Sequence, residues 1–284
     1  MKAFLFPGQG SQFVGMGREL MEKRHELVEK TSEILGFDIK RLILEGPEEE
    51  LKKTENTQVA IYLVSYLAFL ETGEIPDYVA GHSLGEYTAL TAAGVVDFED
   101  GVKIVRKRGE LMAQAREGSM LAVIGLDKKT IEGVLEAFED VVIANENSPV
   151  QYVLSGEKEA VEKVGEELKK RGAKKVVPLK VSGAFHSPLM EEAKNELAKF
   201  LKTVEFKPGR IPIVQNVTAK PVTDPTEIKE NLIHQMTGRV KWVDTLNFLF
   251  DMGVREFVEV GPGKVLTGLV RKTLKDVNVK STGC

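Results

Sequence analysis

Residues 78–90, YVAGHSLGEYTAL, place a serine between two glycines at a point where the periodicity of the chain changes. The first five residues predict a short strand, and the apolar residues from Leu84 onward recur with the spacing of a helix. Ser83 therefore lies at a strand-to-helix junction, where the G-x-S-x-G pattern exposes a nucleophilic hydroxyl. The alternative is a buried serine at a helix start, with the flanking glycines needed only for close packing.

Strand-like and helix-like segments alternate over most of the remaining chain, which predicts an α/β protein with a parallel sheet. The predicted strands of that sheet are 2–6, 78–82, 211–217 and 255–260. The predicted helices are 18–35, 57–70, a segment from Leu84, 97–117, 188–203, 226–237, 243–252 and 264–275.

One stretch, 119–181, has a different order: its strand-like and helix-like pieces follow one another as β-α-β-β-α-β. This order is typical of a ferredoxin-like subdomain. Gly118 and the pair Ser182-Gly183 are plausible hinges at its ends. The predicted boundaries are 118–185 for an inserted subdomain and 1–117 with 186–284 for a larger α/β domain.

Composition excludes several classes of function. The 284 residues carry a net charge of −4, without the basic excess that nucleic-acid binding requires. No apolar run approaches the roughly 18 residues of a membrane span. The apolar run at the start of the chain is too short for a secretory signal. The single cysteine, Cys284, fits a reducing cytoplasm. No metal-ligand spacing is present, so we expect no metal site.

A nucleophilic serine needs a base, and the chain has four histidines. His25 lies in a charged helix, and His82 precedes Ser83 in a strand where adjacent side chains face opposite ways. His234 lies within an amphipathic helix. His186 lies in a predicted loop and is the better candidate. No carboxylate stands out as a third member, so a triad and a dyad oriented by a backbone carbonyl both stay open.

Arg108 is a charged residue on the apolar face of its predicted helix, three or four residues from Ile104, Val105 and Met112. A buried guanidinium requires an anion or several acceptors. One possibility is a structural ion pair with an aspartate or glutamate. The other is a clamp for a substrate carboxylate, for which the planar guanidinium is well suited.

Two segments could supply the backbone N–H groups of an oxyanion hole. Leu84 follows the serine at the start of a helix, where N–H groups point at bound negative charge. The glycine-rich loop PGQGSQ, residues 7–12, follows the first strand and could supply a second N–H group.

Six segments together resemble the malonyl-CoA:acyl carrier protein transacylases, in order and over essentially the whole chain. They are PGQGSQ, GHSLGEY (81–87), RG (108–109), NSP (147–149), AFHS (184–187) and EVGPGKVLTGL (259–269). The resemblance implies a larger domain with a parallel core related to α/β-hydrolases and a ferredoxin-like insert. The AFHS segment resembles the malonyl-selective form of related acyltransferase domains.

The resemblance also implies roles for individual residues. Ser83 is then the acylated nucleophile and His186 its base. The backbone carbonyl of Gln235 orients the histidine, which removes the need for a third carboxylate. Arg108 holds the free malonyl carboxylate, and Asn147 lines the site.

In the same family pattern, the oxyanion hole is formed by the backbone N–H groups of Gln9 and Leu84. The implied enzyme is a stand-alone, cytoplasmic malonyltransferase of fatty acid synthesis, which we expect to be a monomer. Malonyl-CoA is its substrate and acyl carrier protein its partner; no bound cofactor, nucleic acid or membrane is expected.

Two other functions share part of this pattern. A serine esterase or thioesterase has the same catalytic core but no use for Arg108 in its acyl pocket. In a non-catalytic binding module, the insert is the working part and Ser83 is structural. Acidic carrier proteins would favour a basic docking surface, with candidates in Lys169, Lys170, Arg171, Lys174 and Lys175, or in Arg116 and Lys264.

Overall fold

The computed structural model describes residues 1–284 and contains two separate sheets. The larger sheet has six strands in the order β10-β9-β1-β2-β7-β8, all parallel to their neighbours except β8. These strands are β1 (Lys2–Phe6), β2 (Tyr78–Gly81), β7 (Ile213–Val214), β8 (Pro221–Val222), β9 (Glu256–Glu259) and β10 (Asn278–Ser281).

The second sheet has four antiparallel strands in the order β4-β5-β3-β6. Two helices pack on it around a small core of their own. The elements are β3 (Ser119–Ile124), α8 (Lys128–Leu135), β4 (Val141–Ser148), β5 (Gln151–Gly156), α9 (Lys158–Lys170) and β6 (Lys175–Pro178). The mixed α/β fold class, with one parallel sheet and a separate antiparallel one, is confirmed. The exact boundaries of the insert stay a prediction.

The other helices belong to the part of the chain that surrounds the parallel sheet. They are α1 (Arg18–Lys23), α2 (His25–Leu35), α3 (Ile39–Glu45), α4 (Glu48–Lys52), α5 (Thr54–Thr72), α6 (Gly85–Ala92), α7 (Phe98–Gln114), α10 (Glu191–Leu201), α11 (Pro225–Gln235), α12 (Trp242–Asp251) and α13 (Val265–Thr273). None of them is both long and apolar enough to cross a membrane.

Strand β1 separates two hydrophobic cores. Phe4 and Phe6 point into the core shared with α5 and α7, whereas Ala3 and Leu5 point into the core shared with α12 and α13. Alternate residues of a strand face opposite sides of a sheet, and a central parallel strand is covered on both sides. This explains why the first strand is a continuous apolar run.

The structure differs from the predicted elements at several points. The predicted helix 18–35 is interrupted at Arg24, whose backbone (φ −126°, ψ 45°) is not helical. Of the predicted strand 211–217, only Ile213–Val214 is a strand. Asn216 no longer pairs with β2; its backbone N–H donates to the Glu86 carboxylate and its side chain donates to the Gly81 carbonyl oxygen. Helices α3 and α4 and strands β8 and β10 were not predicted, since each is short and weakly periodic.

Candidate active site

Ser83 lies in a sharp turn between β2 and α6. Its backbone has a φ of 53°, in the left-handed region that is costly for a residue with a side chain. The flanking glycines are needed for space: a Cβ on Gly85 would overlap the Phe6 carbonyl oxygen, and one on Gly81 would overlap the backbone of Gly85. The turn therefore presses against the end of β1, as a nucleophile elbow does.

The structure brings His186 to this turn. Ser83 Oγ and His186 Nε2 are 2.9 Å apart, and His186 Nδ1 is 2.8 Å from the Gln235 carbonyl oxygen. A carbonyl oxygen only accepts, so Nδ1 carries the proton and Nε2 accepts from the serine hydroxyl. The predicted dyad geometry is present, with a backbone carbonyl in the place of a third carboxylate.

The environment of His186 keeps its imidazole neutral. Burial, followed by the positive charge of Arg108, lowers the pKa of His186 to about 3. The residue also has a φ of 57°, so its own backbone is held in an unfavourable conformation. A neutral imidazole hydrogen-bonded to a serine is the arrangement that a general base requires.

Arg108 is almost completely buried, with 1% of its surface exposed. It donates from Nη1 to Gln58 Oε1 at 2.7 Å, and from Nη2 to Gln235 Oε1 at 2.9 Å and to Ser83 Oγ at 3.1 Å. No carboxylate oxygen lies within 4.0 Å of it, so the structural ion pair considered from the sequence is absent. The guanidinium lies instead against the nucleophile and over the Tyr87 ring, 5.3 Å from its centroid.

The two N–H groups predicted for the oxyanion hole lie in adjoining segments. The loop after β1 is so close to the serine turn that a Cβ on Gly8 would overlap the His82 carbonyl oxygen and lie 3.7 Å from Leu84 N. Neither Gln9 N nor Leu84 N donates to a protein acceptor. Both groups are therefore free to bind an oxyanion, and their role stays a prediction.

Asn147 is brought to the site by β4, but it contacts His82 and not the serine. Its Oδ1 lies 2.7 Å from His82 Nε2, and the His82 ring packs edge-on against Trp242. The other two histidines, His25 and His234, are exposed and far less suited to the role of base.

Two residues that were not predicted from the sequence support the site, one at the nucleophile turn and one at Arg108. Asn216, just after β7, accepts from Ser83 N at 2.8 Å through Oδ1 and donates through Nδ2 to the Gly81 carbonyl oxygen at 2.6 Å. Gln58 holds Arg108. The signal for Gln58 is an amide immediately before the apolar run 59–64 of α5. The signal for Asn216 is its place at the carboxyl end of a parallel strand, where binding sites form.

Glu86 was also missed, although it belongs to the serine motif. Its side chain is fully buried and accepts from Gln235 Nε2 at 3.1 Å, from Asn216 N at 3.3 Å and from Gln215 Nε2 at 3.4 Å. Burial raises the pKa of Glu86 to about 7, against these hydrogen bonds and the charge of Arg108, which lower it. It does not contact His186, so it is not the third member of a triad.

The chain matches proteins of known family over almost its entire length. A family model described as an acyl transferase domain matches residues 3–283. The polyketide biosynthesis malonyl CoA-acyl carrier protein transacylase PksC of Bacillus subtilis is 47% identical, over 97% of this chain and 98% of its own. A malonyl CoA-acyl carrier protein transacylase of Synechocystis is 44% identical, over 99% of this chain and 96% of its own.

The solved structures agree with this relationship. The crystal structure of an acyl carrier protein S-malonyltransferase from Vibrio cholerae superposes with a TM-score of 0.95 at 41% identity, covering 99% of this chain and 96% of that one. A match of this length and identity, together with the serine turn and its histidine, assigns the family: the chain is a member of the acyl transferase domain family.

Proposed function

We infer that the protein transfers a malonyl group from coenzyme A to the phosphopantetheine thiol of acyl carrier protein, through a malonyl-serine intermediate. The observation that carries this inference is the Arg108 guanidinium, buried without a carboxylate and 3.1 Å from Ser83 Oγ. Malonyl has a free carboxylate two bonds beyond the thioester carbonyl carbon. A carboxylate bound to Arg108 therefore brings that carbonyl to the serine.

The donors of Arg108 leave room for such a carboxylate. A guanidinium has five N–H groups, and the protein supplies acceptors for three of them. Nε is buried and has no acceptor. A substrate carboxylate would supply the missing negative charge, and pairing of arginine with a carboxylate is especially strong.

The first half-reaction acylates Ser83. His186 Nε2 takes the hydroxyl proton while Oγ attacks the malonyl thioester carbonyl, which becomes a tetrahedral oxyanion. The N–H groups of Gln9 and Leu84 stabilise that oxyanion, each donor contributing about 3–4 kcal/mol. The carbon–sulfur bond then breaks, and the coenzyme A thiolate leaves with the proton held by His186.

The second half-reaction reverses these roles. The carrier-protein thiol gives its proton to His186 and attacks the malonyl-serine ester. The same two N–H groups bind the new oxyanion. Ser83 leaves as the alkoxide and regains a proton from His186, so that the enzyme returns to its starting state. We expect neither a metal ion nor a bound cofactor to take part.

The physiological setting is part of the proposal. We place the enzyme in fatty acid synthesis, in the cytoplasm, acting as a monomer. The 47% identical PksC belongs to polyketide biosynthesis, so polyketide extension is the second candidate pathway. The choice between the two depends on which carrier protein accepts the malonyl group faster.

The test is the mass of the intact protein after brief exposure to malonyl-CoA. The wild type should gain one malonyl group, and Ser83→Ala should gain none. Addition of holo acyl carrier protein should move that mass to the carrier. Release of free malonate without a stable adduct would support a thioesterase, and no reaction with malonyl-CoA or with a fluorophosphonate would support a binding module.

A further inference from the structure

We propose that Glu86 is a positioning residue that sets substrate selectivity by fixing the side-chain amide of Gln235, so that the amide oxygen faces Arg108. Glu86 itself touches neither Ser83 Oγ nor His186. This proposal rests on the proposed function, because it concerns how Arg108 is held for the malonyl carboxylate.

Gln235 joins the two parts of the site. Its backbone carbonyl accepts from His186 Nδ1, and its side-chain Oε1 accepts from Arg108 Nη2 at 2.9 Å. One residue thus orients both the base and the cation. The backbone contact does not depend on the side chain, so the two roles can be separated by substitution.

The amide of Gln235 has a single orientation that satisfies its neighbours. Its Nε2 lies near three oxygens: the Ser83 carbonyl at 3.0 Å, Glu86 Oε1 at 3.1 Å and Asn216 Oδ1 at 3.2 Å. A flipped amide would place an oxygen against these three oxygens and an NH₂ group against the Arg108 guanidinium. Buried polar groups are costly when they lose their partners.

Of the three oxygens near Gln235 Nε2, that of Glu86 is the one surrounded mainly by hydrogen-bond donors. Asn216 Oδ1 is shared with Ser83 N, and the Ser83 carbonyl is part of the strained turn. The Glu86 carboxyl group, in contrast, accepts from three donors that belong to two segments distant in sequence, 215–216 and 235. Its position in the first turn of α6 ties it to the nucleophile turn, so the serine and the cation are held by one buried network.

Loss of this acceptor should therefore affect malonyl and acetyl groups differently. Malonyl needs Arg108 in a fixed orientation, whereas acetyl has no carboxylate to place there. Both acyl groups need Ser83 and His186 equally. A residue that only supports the fold would lower both rates together.

The experiment compares kcat/KM for acylation by malonyl-CoA and by acetyl-CoA in the full-length protein. The main variant is Glu86→Met, which keeps the length of the side chain and removes its acceptors. Glu86→Gln retains one oxygen that can accept from Gln235. Glu259→Met is the matched control, because Glu259 is also a fully buried glutamate near the end of a strand of the same sheet, and its acceptors contact only Leu266 and Thr267.

Glu86→Met should lower the malonyl-to-acetyl ratio by about tenfold or more, the contribution of a hydrogen bond in a charged network. Glu86→Gln should keep most of the ratio, and Glu259→Met should keep all of it. An unchanged ratio in Glu86→Met, or an equal loss of both activities, would overturn the proposal.

A second variant keeps the test decisive if Glu86→Met does not fold. Gln235→Ala removes the amide and leaves the backbone carbonyl, so it should lower the malonyl-to-acetyl ratio; an unchanged ratio there would equally overturn the proposal. Where both fold, the double variant should lose no more of the ratio than Gln235→Ala alone. Failure of the proposed function is seen separately, as the absence of a malonyl adduct on wild-type Ser83.

Discussion

Two strand-to-helix turns lie on either side of β1 at the carboxyl edge of the parallel sheet, and a buried glutamate lies at each of them. In the turn between β9 and α13, Glu259 accepts from Leu266 N at 3.2 Å and from Thr267 N and Oγ1, both at 2.9 Å. In the turn between β2 and α6, Glu86 accepts from residues 129 to 149 positions away in the chain. The same residue type thus has local partners in one turn and distant partners in the other.

The difference separates a structural role from a functional one. Glu259 satisfies the first N–H groups of the helix that follows it, as a capping residue does. Glu86 instead connects the nucleophile turn to Asn216, which follows β7, and to Gln235, the last residue of α11. Substitutions in the first turn should change stability, whereas substitutions in the second should change chemistry.

The largest expected effect is at the nucleophile. Ser83→Ala should abolish the acyl adduct, because no other hydroxyl is 2.9 Å from His186 Nε2. At the other turn, Thr267→Val should lower the melting temperature and leave the adduct intact. Intact-protein mass spectrometry after malonyl-CoA and a thermal melt measure both. An adduct on Ser83→Ala would mean that the reactive turn has been misassigned.

The next effect concerns the base. His186→Ala should slow acylation by about 10²- to 10⁴-fold, whereas His234→Ala should not, since the His234 side chain is exposed and makes no hydrogen bond. Stopped-flow or quench-flow acylation, with circular dichroism to check folding, compares the two. Equal losses in both folded variants would contradict the choice of His186.

Arg108 sets the third effect. Acetyl would leave its guanidinium unpaired, at a cost of about 3–5 kcal/mol, so Arg108→Ala should lose about 10² to 10³-fold of the preference for malonyl-CoA over acetyl-CoA. Arg108→Lys should restore only part of it, because an ammonium lacks the planar two-bond contact. The ratio of kcat/KM values is the measurement. If the alanine variant keeps the wild-type ratio, selectivity resides in other residues.

These contrasts also explain which parts of the molecule the sequence could predict. The fold class followed from local periodicity. The Ser83 turn followed from a five-residue pattern in which the glycines are needed because a larger residue would overlap the neighbouring backbone. His186 could be chosen because there were only four histidines. Arg108 was found because a charge on an apolar helix face is conspicuous.

The remainder of the site depends on contacts between segments distant in the chain. Glu86 is one glutamate among many, and nothing near it in sequence marks it as buried. Asn216 was placed inside a predicted strand that in fact ends at Val214. Asn147 was expected to line the site; its partner, His82, is 65 residues away in the chain and could not be predicted. Partners more than 100 residues apart leave no periodic signal.

The two buried glutamates should resemble each other in their effect on the pH dependence of stability. Burial raises the pKa of both carboxyl groups, to about 7 for Glu86. The native state then binds a proton that the unfolded state has lost, so stability falls as the pH rises from about 4.5 to about 7, by about 1.4 kcal/mol per unit of pKa shift. Glu86→Gln and Glu259→Gln should each reduce this fall.

Urea unfolding between pH 4 and pH 8 provides the measurement, with the wild type and both variants in the same buffers. The stability of the wild type relative to Glu86→Gln should decline towards neutral pH and then level off. A difference that is constant with pH would mean that Glu86 does not titrate in this range.

The smallest expected effect concerns the turn between β9 and α13, because Lys264 lies there, exposed at the start of α13. Carrier proteins are acidic around the phosphopantetheine serine, so a basic residue close to the site would attract them. On the insert, Lys169 and Arg171 already pair with Glu166 and Glu167, whereas Lys170, Lys174 and Lys175 form no ion pair.

Rising salt should raise the KM for the carrier protein more than the KM for malonyl-CoA, since salt screens exposed charges. Lys264→Glu and Lys170→Glu then locate the surface: the variant at the true docking face should raise the carrier KM and reduce its salt dependence. If Lys264→Glu does so, the turn between β9 and α13 has a binding role beyond its structural one, and the contrast between the two turns applies only to their glutamates. A carrier KM that is independent of salt would argue against basic docking on either surface.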